Sequence, residues 1–571
     1  MTTVREARES DEAVLARLGY RQEFKRNFKP LDVFGIAFSI IGLLPSIACV
    51  LASVLHISRF LDFSQLCAFE HGIQWRSCVN GVGLGLWVVF YYVHWDGAGR
   101  AQPRRQLYYL TYTLSSPRSR NVLCWIVGYA STISGIAGIA SVDWGCTVQI
   151  AAGVNIGSDG QLIISNQQCY GIYAAIVLSQ AVICSLGTKV LARLQVVSVF
   201  SNILLCLVVI IVLPIASPKE LKNPASYVFG NFTNRKFSGW PDGFAFILGL
   251  LAPLWTISGY DAVIHISEES FDAATAAPWG MVYSIAIAGV LGWAVNVLLA
   301  FCMGSDLSEV LGGGVNQPMA QIFLNSFGRS WALVLWSCII LLHYMTGSSL
   351  VLSASRQSFA FARDGALPFS KFLYQVNTYT GTPVNTVWFD CVLALLIGLL
   401  ALLGRATVNA VFMISVTATR DRFALGVLGD PIAGIAVAFM LFMLVILCFP
   451  PSASPDVTTM NYTSVVLGGV MLLAMIWYYF PVYGGMHWFH GPTFNVEDKV
   501  QSRASVEKKA GQCYSVDAST TGTSPTHAAL CSNCRLCTTA LTHSRLPHLE
   551  QGCTCATLLE GPAGTIRGFV P

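Results

Sequence analysis

The chain has 571 residues, of which 54% are apolar and only 11% charged, with a formal net charge of +4. A soluble domain carries roughly a quarter charged residues, so a water-solvated globule is excluded and lipid is required as the solvent for the surplus apolar surface. The small net charge says little alone; its placement along the chain says more.

Residues 1–29 form a charged head, with Arg17, Arg21, Lys25, Arg26 and Lys29 just before the first apolar run. This head is too charged and too long to be a cleaved signal peptide, and the positive-inside rule puts it in the cytoplasm. A spanning helix needs about 20 apolar residues. Runs of that order lie at 33–55, 122–154, 190–216, 243–264, 278–303, 331–354, 384–403, 431–449 and 461–482, with 169–186 marginal. They are continuous rather than alternating, which favours helices over a barrel. Two more runs, 82–93 and 408–419, are too short to cross. Counting sides places Arg100, Arg104, Arg105, Arg118, Arg120, Lys189, Arg193, Arg356, Arg363 and Lys371 inside. The loops 157–168 and 451–460 carry no Lys or Arg and count as outside, as do the sequons at Asn231 and Asn461.

The membrane body is therefore expected over residues 30–489, followed by a polar tail at 490–571. That tail is rich in Ser and Thr, lacks apolar periodicity and reads as disordered. It contains Cys531, Cys534, Cys537, Cys553 and Cys555. Their spacing fits no common zinc module, and no metal or other cofactor is expected. The cysteines inside spans, such as Cys124, Cys184, Cys206 and Cys338, read as small apolar packing residues.

Breaks and polar residues within spans carry the functional signal. Discontinuous helices at mid-membrane expose backbone groups and half-helix dipoles to a solute. The first span reads Ile40-Ile-Gly-Leu-Leu-Pro-Ser46, where Gly42 and Pro45 either open the helix or kink it against its neighbours. The sixth reads Trp255-Thr-Ile-Ser-Gly-Tyr-Asp261. An acid at membrane depth is costly unless it faces a cavity or a partner. Asp261 is a candidate for pairing with a substrate ammonium or for proton coupling, with a structural carboxylate as the alternative. Glu268 and Glu269 follow at the expected inner rim, in a gating or solvated role. His343, near mid-span, is either a proton shuttle or a hydrogen-bonded structural histidine. Asp143 reads as lying near the outer interface, solvated, and Asp390 as lying toward the inner half of its span. No phosphate-cradling Gly-x4-Gly-Lys-Ser/Thr, His-Glu-x-x-His or Gly-x-Ser-x-Gly motif is present, which argues against an ATPase, a metalloprotease, a lipase or any other enzyme.

The segments Phe38–Ala48, Leu107–Pro117, Leu123–Tyr129, Ser141–Gly145, Ser258–Ala262, His265–Glu269, Ala354–Pro368, Val465–Gly469 and Tyr483–Trp488 resemble the fungal amino acid/GABA/choline permease branch of the amino acid–polyamine–organocation superfamily. The resemblance covers most of residues 18–492. It implies an all-α membrane fold of the leucine-transporter type, an inverted five-plus-five repeat with nominally twelve spans. It also implies a substrate held between the broken first and sixth spans, at Gly42, Leu43, Leu44, Pro45, Ser46, Thr256, Ile257, Ser258, Gly259, Tyr260 and Asp261. The implied partners are a small amino-group solute, protons as coupling ion and membrane lipid, with no nucleic acid. The implied site of action is the plasma membrane, or the vacuolar membrane.

Two stretches depart from that pattern. Residues 56–106 do not match a full second span, and around 417–423 about one helix is missing. Both, with the Cys-rich tail, are consistent with a mis-predicted gene model, which transcript sequencing checks. The leading reading is a secondary permease; a non-transporting nutrient sensor and an inactive product of a damaged gene are the alternatives.

Overall fold

The computed structural model describes residues 23–24, 26–57, 107–230, 239–249, 251–305, 310, 314–315, 317–403, 441–450, 453–455, 461 and 463–492. Most of the divergent segment 56–106, the joint at 417–426 and the Cys-rich tail lie outside these residues. Among those described, seven helices are long and apolar enough to cross a membrane, and two shorter ones, Val384–Gly398 and Val465–Tyr479, are apolar as well. The seven overlie the runs expected at 33–55, 122–154, 169–186, 190–216, 243–264, 278–303 and 331–354.

The first span begins as α1 (Pro30–Ile41). Pro30 opens it because a first-turn residue needs no N–H, and the Asp32 carboxylate accepts from the Lys29 N–H at 2.8 Å. The helix stops at Gly42, whose left-handed φ of 47° suits a residue without Cβ. It restarts as α2 (Leu43–Ile57). Pro45 falls in the first turn of α2, where its missing N–H leaves no bond unmade. Glycine as stop and proline just past the restart thus make two helices of one apolar run.

The middle of the molecule is α4 (Arg120–Gly157), which follows the short α3 (Leu107–Leu114). At 1.5 Å per residue its 38 residues extend about 57 Å, well beyond the hydrocarbon thickness. After it come α5 (Asn166–Leu186) and α6 (Thr188–Ala216). The sixth span is assembled from α7 (Asp242–Gly249), α8 (Leu251–Ile257) and, past a turn, α9 (Ala262–His265). Then come α10 (Ala273–Cys302), α11 (Pro318–Arg363), α12 (Val384–Gly398) and α13 (Thr463–Tyr479). Gly328, at φ 71° and ψ 172°, divides α11 into a short leading helix and the spanning part.

Helices α4 and α11 run antiparallel in close register. Gly128 faces Phe361, Gly135 faces Ala354, Gly145 faces His343 and Gly153 faces Trp336. In lipid the hydrophobic effect does not drive helices together, so close backbone approach through small residues supplies the packing. A Cβ on Gly135 would stand 3.1 Å from the Ala354 Cβ, and one on Gly128 would enter the Phe361 ring. Gly128→Ala is therefore expected to destabilise the purified protein by about 1–3 kcal/mol through overpacking. Gly171→Ala, which meets nothing within 4 Å, serves as the control. Thermal unfolding in detergent checks both, and equal midpoints would refute the packing argument.

The N-terminal segment lies against the turn that follows α9. Asn27 and Phe28 N–H both donate to the Glu269 carbonyl at 2.9 and 3.1 Å, and Phe271 N–H donates to the Phe28 carbonyl at 2.9 Å. Phe24 meets Phe359 edge-on with centroids 4.9 Å apart.

Two sequence readings change here. Asn461 is 7% exposed, and its side-chain N–H groups donate to the Leu447 and Phe449 carbonyls at 2.7 and 2.8 Å. It ties off a helix end, and a glycan on that nitrogen would displace these bonds; Asn231 lies outside the described residues. Cys124, Cys184 and Cys206 are buried free thiols as expected, whereas Cys338 is exposed on the outer face of α11.

Candidate functional site

The two helix breaks meet. A Cβ on Gly259, which has φ +90°, would overlap the Ile40 side chain, two residues before Gly42. Around this junction lies a cavity walled by four elements. The first span contributes Ile40 and Ser46. The sixth contributes Trp255, Ser258, Gly259, Asp261, Ala262 and His265. Helix α4 supplies Ser131, Ser134, Gly135, Gly138, Ser141 and Val142, a one-sided stripe at helical spacing. Helix α11 supplies Leu350, Ser353, Ala354 and Gln357.

The backbone groups freed by the first break are largely claimed by side chains. Thr346 Oγ1 donates to the Ser39 carbonyl at 2.8 Å, and Ser46 Oγ donates to the Ile41 carbonyl at 2.7 Å. Gln149 Nε2 donates to the Pro45 carbonyl at 3.0 Å. With its N–H used there, the Gln149 oxygen accepts from His343 Nδ1, 2.8 Å away. That fixes the neutral imidazole with its proton on Nδ1 and leaves Nε2 as a buried lone pair, which has no partner. His343 is fully buried, braced between α2 and α4 and outside the cavity wall. The arrangement is that of a hydrogen-bonded structural histidine with one nitrogen open.

The electrostatics of the junction are lopsided. Helix α2 presents its N-terminal, partially positive end, and α8 ends on its partially negative carbonyl side. Asp261 adds a full carboxylate beside the latter, with His265 Nε2 at 4.0 Å as its polar neighbour. One side of the cavity thus favours an anion and the other a cation.

The residues expected at the site divide. Ser46, Ser258, Gly259 and Asp261 line the cavity. Gly42 and Pro45 make the break itself. Leu43 and Leu44 are buried in the core at 1% and 0% exposure and are absent from the cavity wall. Thr256 donates back to the Ala252 carbonyl at 3.0 Å, so its hydroxyl is spent within the helix. Ile257 and Tyr260 also lie off the wall, Tyr260 packing on the apolar core.

Glu268 and Glu269 are not a solvated rim. Glu269 is 1% exposed and accepts from Arg356 Nε at 2.8 Å, while Glu268 accepts from Arg363 Nη1 at 3.1 Å. Arg356 and Arg363 stand seven residues apart, two turns along one face of α11. The acid pair therefore bolts the turn after α9 to α11. Asp143 departs further from expectation. It is fully buried, its Oδ1 accepts from Gln180 Nε2 at 2.9 Å, and it packs on Gly347. The solvated position read from sequence is incorrect, because Asp143 faces α5 and α11 across a packed helix seam, at Gln180 and Gly347. Asp390 is likewise buried, accepting from Ser358 Oγ at 2.7 Å. The sequence reading missed Gln149, Gln180, Ser131 and Gln357 as site or network residues. The α4 serines at helical spacing were the available signal. Among the described residues no cluster of His, Cys, Asp or Glu is arranged to hold a metal.

The profile of the amino acid permease family matches residues 31–420, a stretch that includes both helix breaks, the cavity wall and the acid–arginine clamp. The chain belongs to the amino acid permease family. This permease is 33% identical over 521 residues to the GABA-specific permease of Saccharomyces cerevisiae, across 86% of this chain and 87% of that protein. It is 32% identical over 519 residues to an uncharacterized amino-acid permease of Schizosaccharomyces pombe, across 87% and 90% of the two chains. It is 26% identical over 519 residues to a putative polyamine transporter of Candida albicans, across 86% and 90%. The permease is thus an integral, multi-pass membrane transporter rather than an enzyme, with the all-helical fold of its superfamily. The family match ends at residue 420, within the stretch around 417–423 where about one helix is missing from the pattern.

Proposed function

We propose that this permease carries a small solute with a cationic amino group, an amino acid or a GABA-like compound, across the plasma membrane. The observation that supports this most is Asp261: a carboxylate at membrane depth, in the wall of the cavity where two broken helices meet. A carboxylate there is costly unless a cation joins it, and an ammonium is the cation that relatives named for GABA and polyamines suggest. In this reading the head lies in the cytoplasm, and the Glu268–Arg363 and Glu269–Arg356 pairs close the inner side. Uptake is driven by a proton gradient, with His343 or Asp261 as the proton-accepting group; the open Nε2 of His343 supports that role.

Uptake of labelled GABA, amino acids, polyamines and choline by a yeast lacking its own permeases, expressing the tagged chain, tests the proposal. The expected result is accumulation of an amino-group solute that a protonophore abolishes. A surface-displayed chain that accumulates none of them would overturn it.

A further inference from the structure

Outside the cavity lies a buried polar site that the solute does not touch. Ser141 and Val142 line the cavity, but the next residue, Asp143, turns to Gln180 on α5, a helix absent from the wall. Both side chains are fully buried. Gln180 Nε2 donates to Asp143 Oδ1 at 2.9 Å and to the Tyr344 carbonyl at 3.1 Å. Two acceptors thus claim both amide protons, which fixes the orientation of the amide. Two oxygens remain without a donor, Asp143 Oδ2 and Gln180 Oε1. Gly347 on α11 makes room for the pair, since a Cβ there would overlap Asp143 Oδ1 and Gln180 Nε2.

The surroundings supply no cation. The titratable groups near Asp143 are Cys146 on α4, Tyr173 and Cys184 on α5, Tyr344 on α11 and Cys391 on α12. His343 stands one turn before Gly347 on α11, and its proton is bound to Gln149. Arg356 and Arg363 are held by Glu269 and Glu268. Among the described residues no Lys, Arg or His forms an ion pair with Asp143. A carboxylate at membrane depth without a counter-ion is costly, and a buried acceptor without a donor adds to the cost. One proton removes both penalties. On Asp143 Oδ2 it cancels the charge and supplies the O–H that Gln180 Oε1 lacks, the two-bond pairing of a carboxylic acid with a primary amide.

We propose that Asp143 and Gln180 form a proton-binding site in which Asp143 is held as the carboxylic acid, and whose filling and emptying couple the pH gradient to transport. The proton comes from the medium on one side and returns to the medium on the other. The site lies outside the solute cavity yet shares α4 and α11 with it. Loss of the proton restores the charge on Asp143, sets it against Gln180 Oε1 and loosens α5 from those two helices. The closed seam therefore belongs to the protonated state. This rests on the proton-driven reading above and adds a holding site to the accepting groups named there.

The test uses the full-length protein, first in detergent and then in liposomes. The infrared difference spectrum of wild type against Asp143→Asn is expected to show a deuterium-sensitive band of a protonated carboxyl that the variant lacks. Asparagine can keep both bonds to Gln180, its Nδ2 replacing the O–H, so the unfolding midpoint is expected to stay unchanged. Gln180→Met removes the N–H from Asp143 Oδ1 and is expected to move the same band to higher frequency, which keeps the test alive should Asp143→Asn fail to fold. In liposomes clamped at zero potential, a gradient of one pH unit sustains about tenfold accumulation of labelled GABA if one proton accompanies each solute. Asp143→Asn is expected to exchange GABA at the wild-type rate and to accumulate none. A spectrum without the carboxyl band overturns the site. An Asp143→Asn protein that still accumulates GABA on the gradient overturns its coupling role. A wild type that moves no labelled solute overturns the transport reading and the coupling with it, while the band still decides whether Asp143 holds a proton.

Discussion

Asp261→Asn will remove uptake of the amino-group solute at concentrations where the wild type is half-saturated, while the protein still reaches the surface. Asparagine matches the carboxylate in size, and the polar neighbour it loses is His265 at 4.0 Å, too far for a strong bond. Folding therefore has little to lose. Binding has much to lose, because removing one partner of a desolvated charge pair costs about 2–5 kcal/mol. At 1.4 kcal/mol per tenfold, KM should rise by roughly 30-fold at the least. Asp261→Glu keeps the charge but displaces it by a methylene, so it should fall between the two. Concentration-dependent uptake, normalised to surface protein, decides the matter. A displayed Asp261→Asn permease with wild-type KM would show that the ammonium sits elsewhere and that Asp261 is structural.

The second large effect concerns stability. Arg356→Ala will leave Glu269 as a buried carboxylate with no counter-ion. Arg356 and Glu269 are 2% and 1% exposed, with the bond at 2.8 Å, and breaking such a pair from one side costs about 3–5 kcal/mol. The companion pair, Arg363 and Glu268, is more accessible at 6% and 15%, and its loss should cost less. The removal of both charges, Arg356→Leu with Glu269→Leu, should recover much of the deficit, since the penalty comes from the orphaned ion rather than from the missing attraction. Unfolding midpoints of the purified single and double variants supply the readout. If Arg356→Ala proves no worse than Arg363→Ala, the inner pair is not the clamp described here.

The breaks were legible in the sequence because glycine and proline act locally. Gly42 and Pro45 announce a stop and a restart within four residues, and Gly259 does the same in the sixth span. Asp261 was legible for a similar reason, since an acid in an apolar run stands out against any neighbours. What escaped was whatever depends on register between distant helices. Glu269 finds Arg356 across 87 positions, and nothing near either residue states that pairing. Asp143 was misjudged for the same reason: its partners, Gln180 on α5 and Gly347 on α11, lie far away in the chain. Gln357 lies in a stretch that resembles its family throughout. Its place in the cavity wall becomes visible only once α4 is laid beside α11. The segments 56–106 and 417–426, whose departure from pattern the sequence does reveal, lie almost entirely outside the described residues.

Glycine plays two opposed parts in this protein, and the backbone angle tells them apart. At Gly42 and Gly259 φ is positive, 47° and 90°, and the residue lets the chain turn where a side chain would resist. At Gly128, Gly135, Gly145 and Gly153 the backbone is helical, and the missing side chain lets α4 lie flush on α11. There glycine confers stiffness. Two long rods locked together along their length make a frame, and the half-helices at the breaks are tied to it by a few polar bonds, from Thr346, Gln149 and Arg356. An alanine scan of the glycines should accordingly sort them into two classes: those whose loss loosens the frame and those whose loss strains a break.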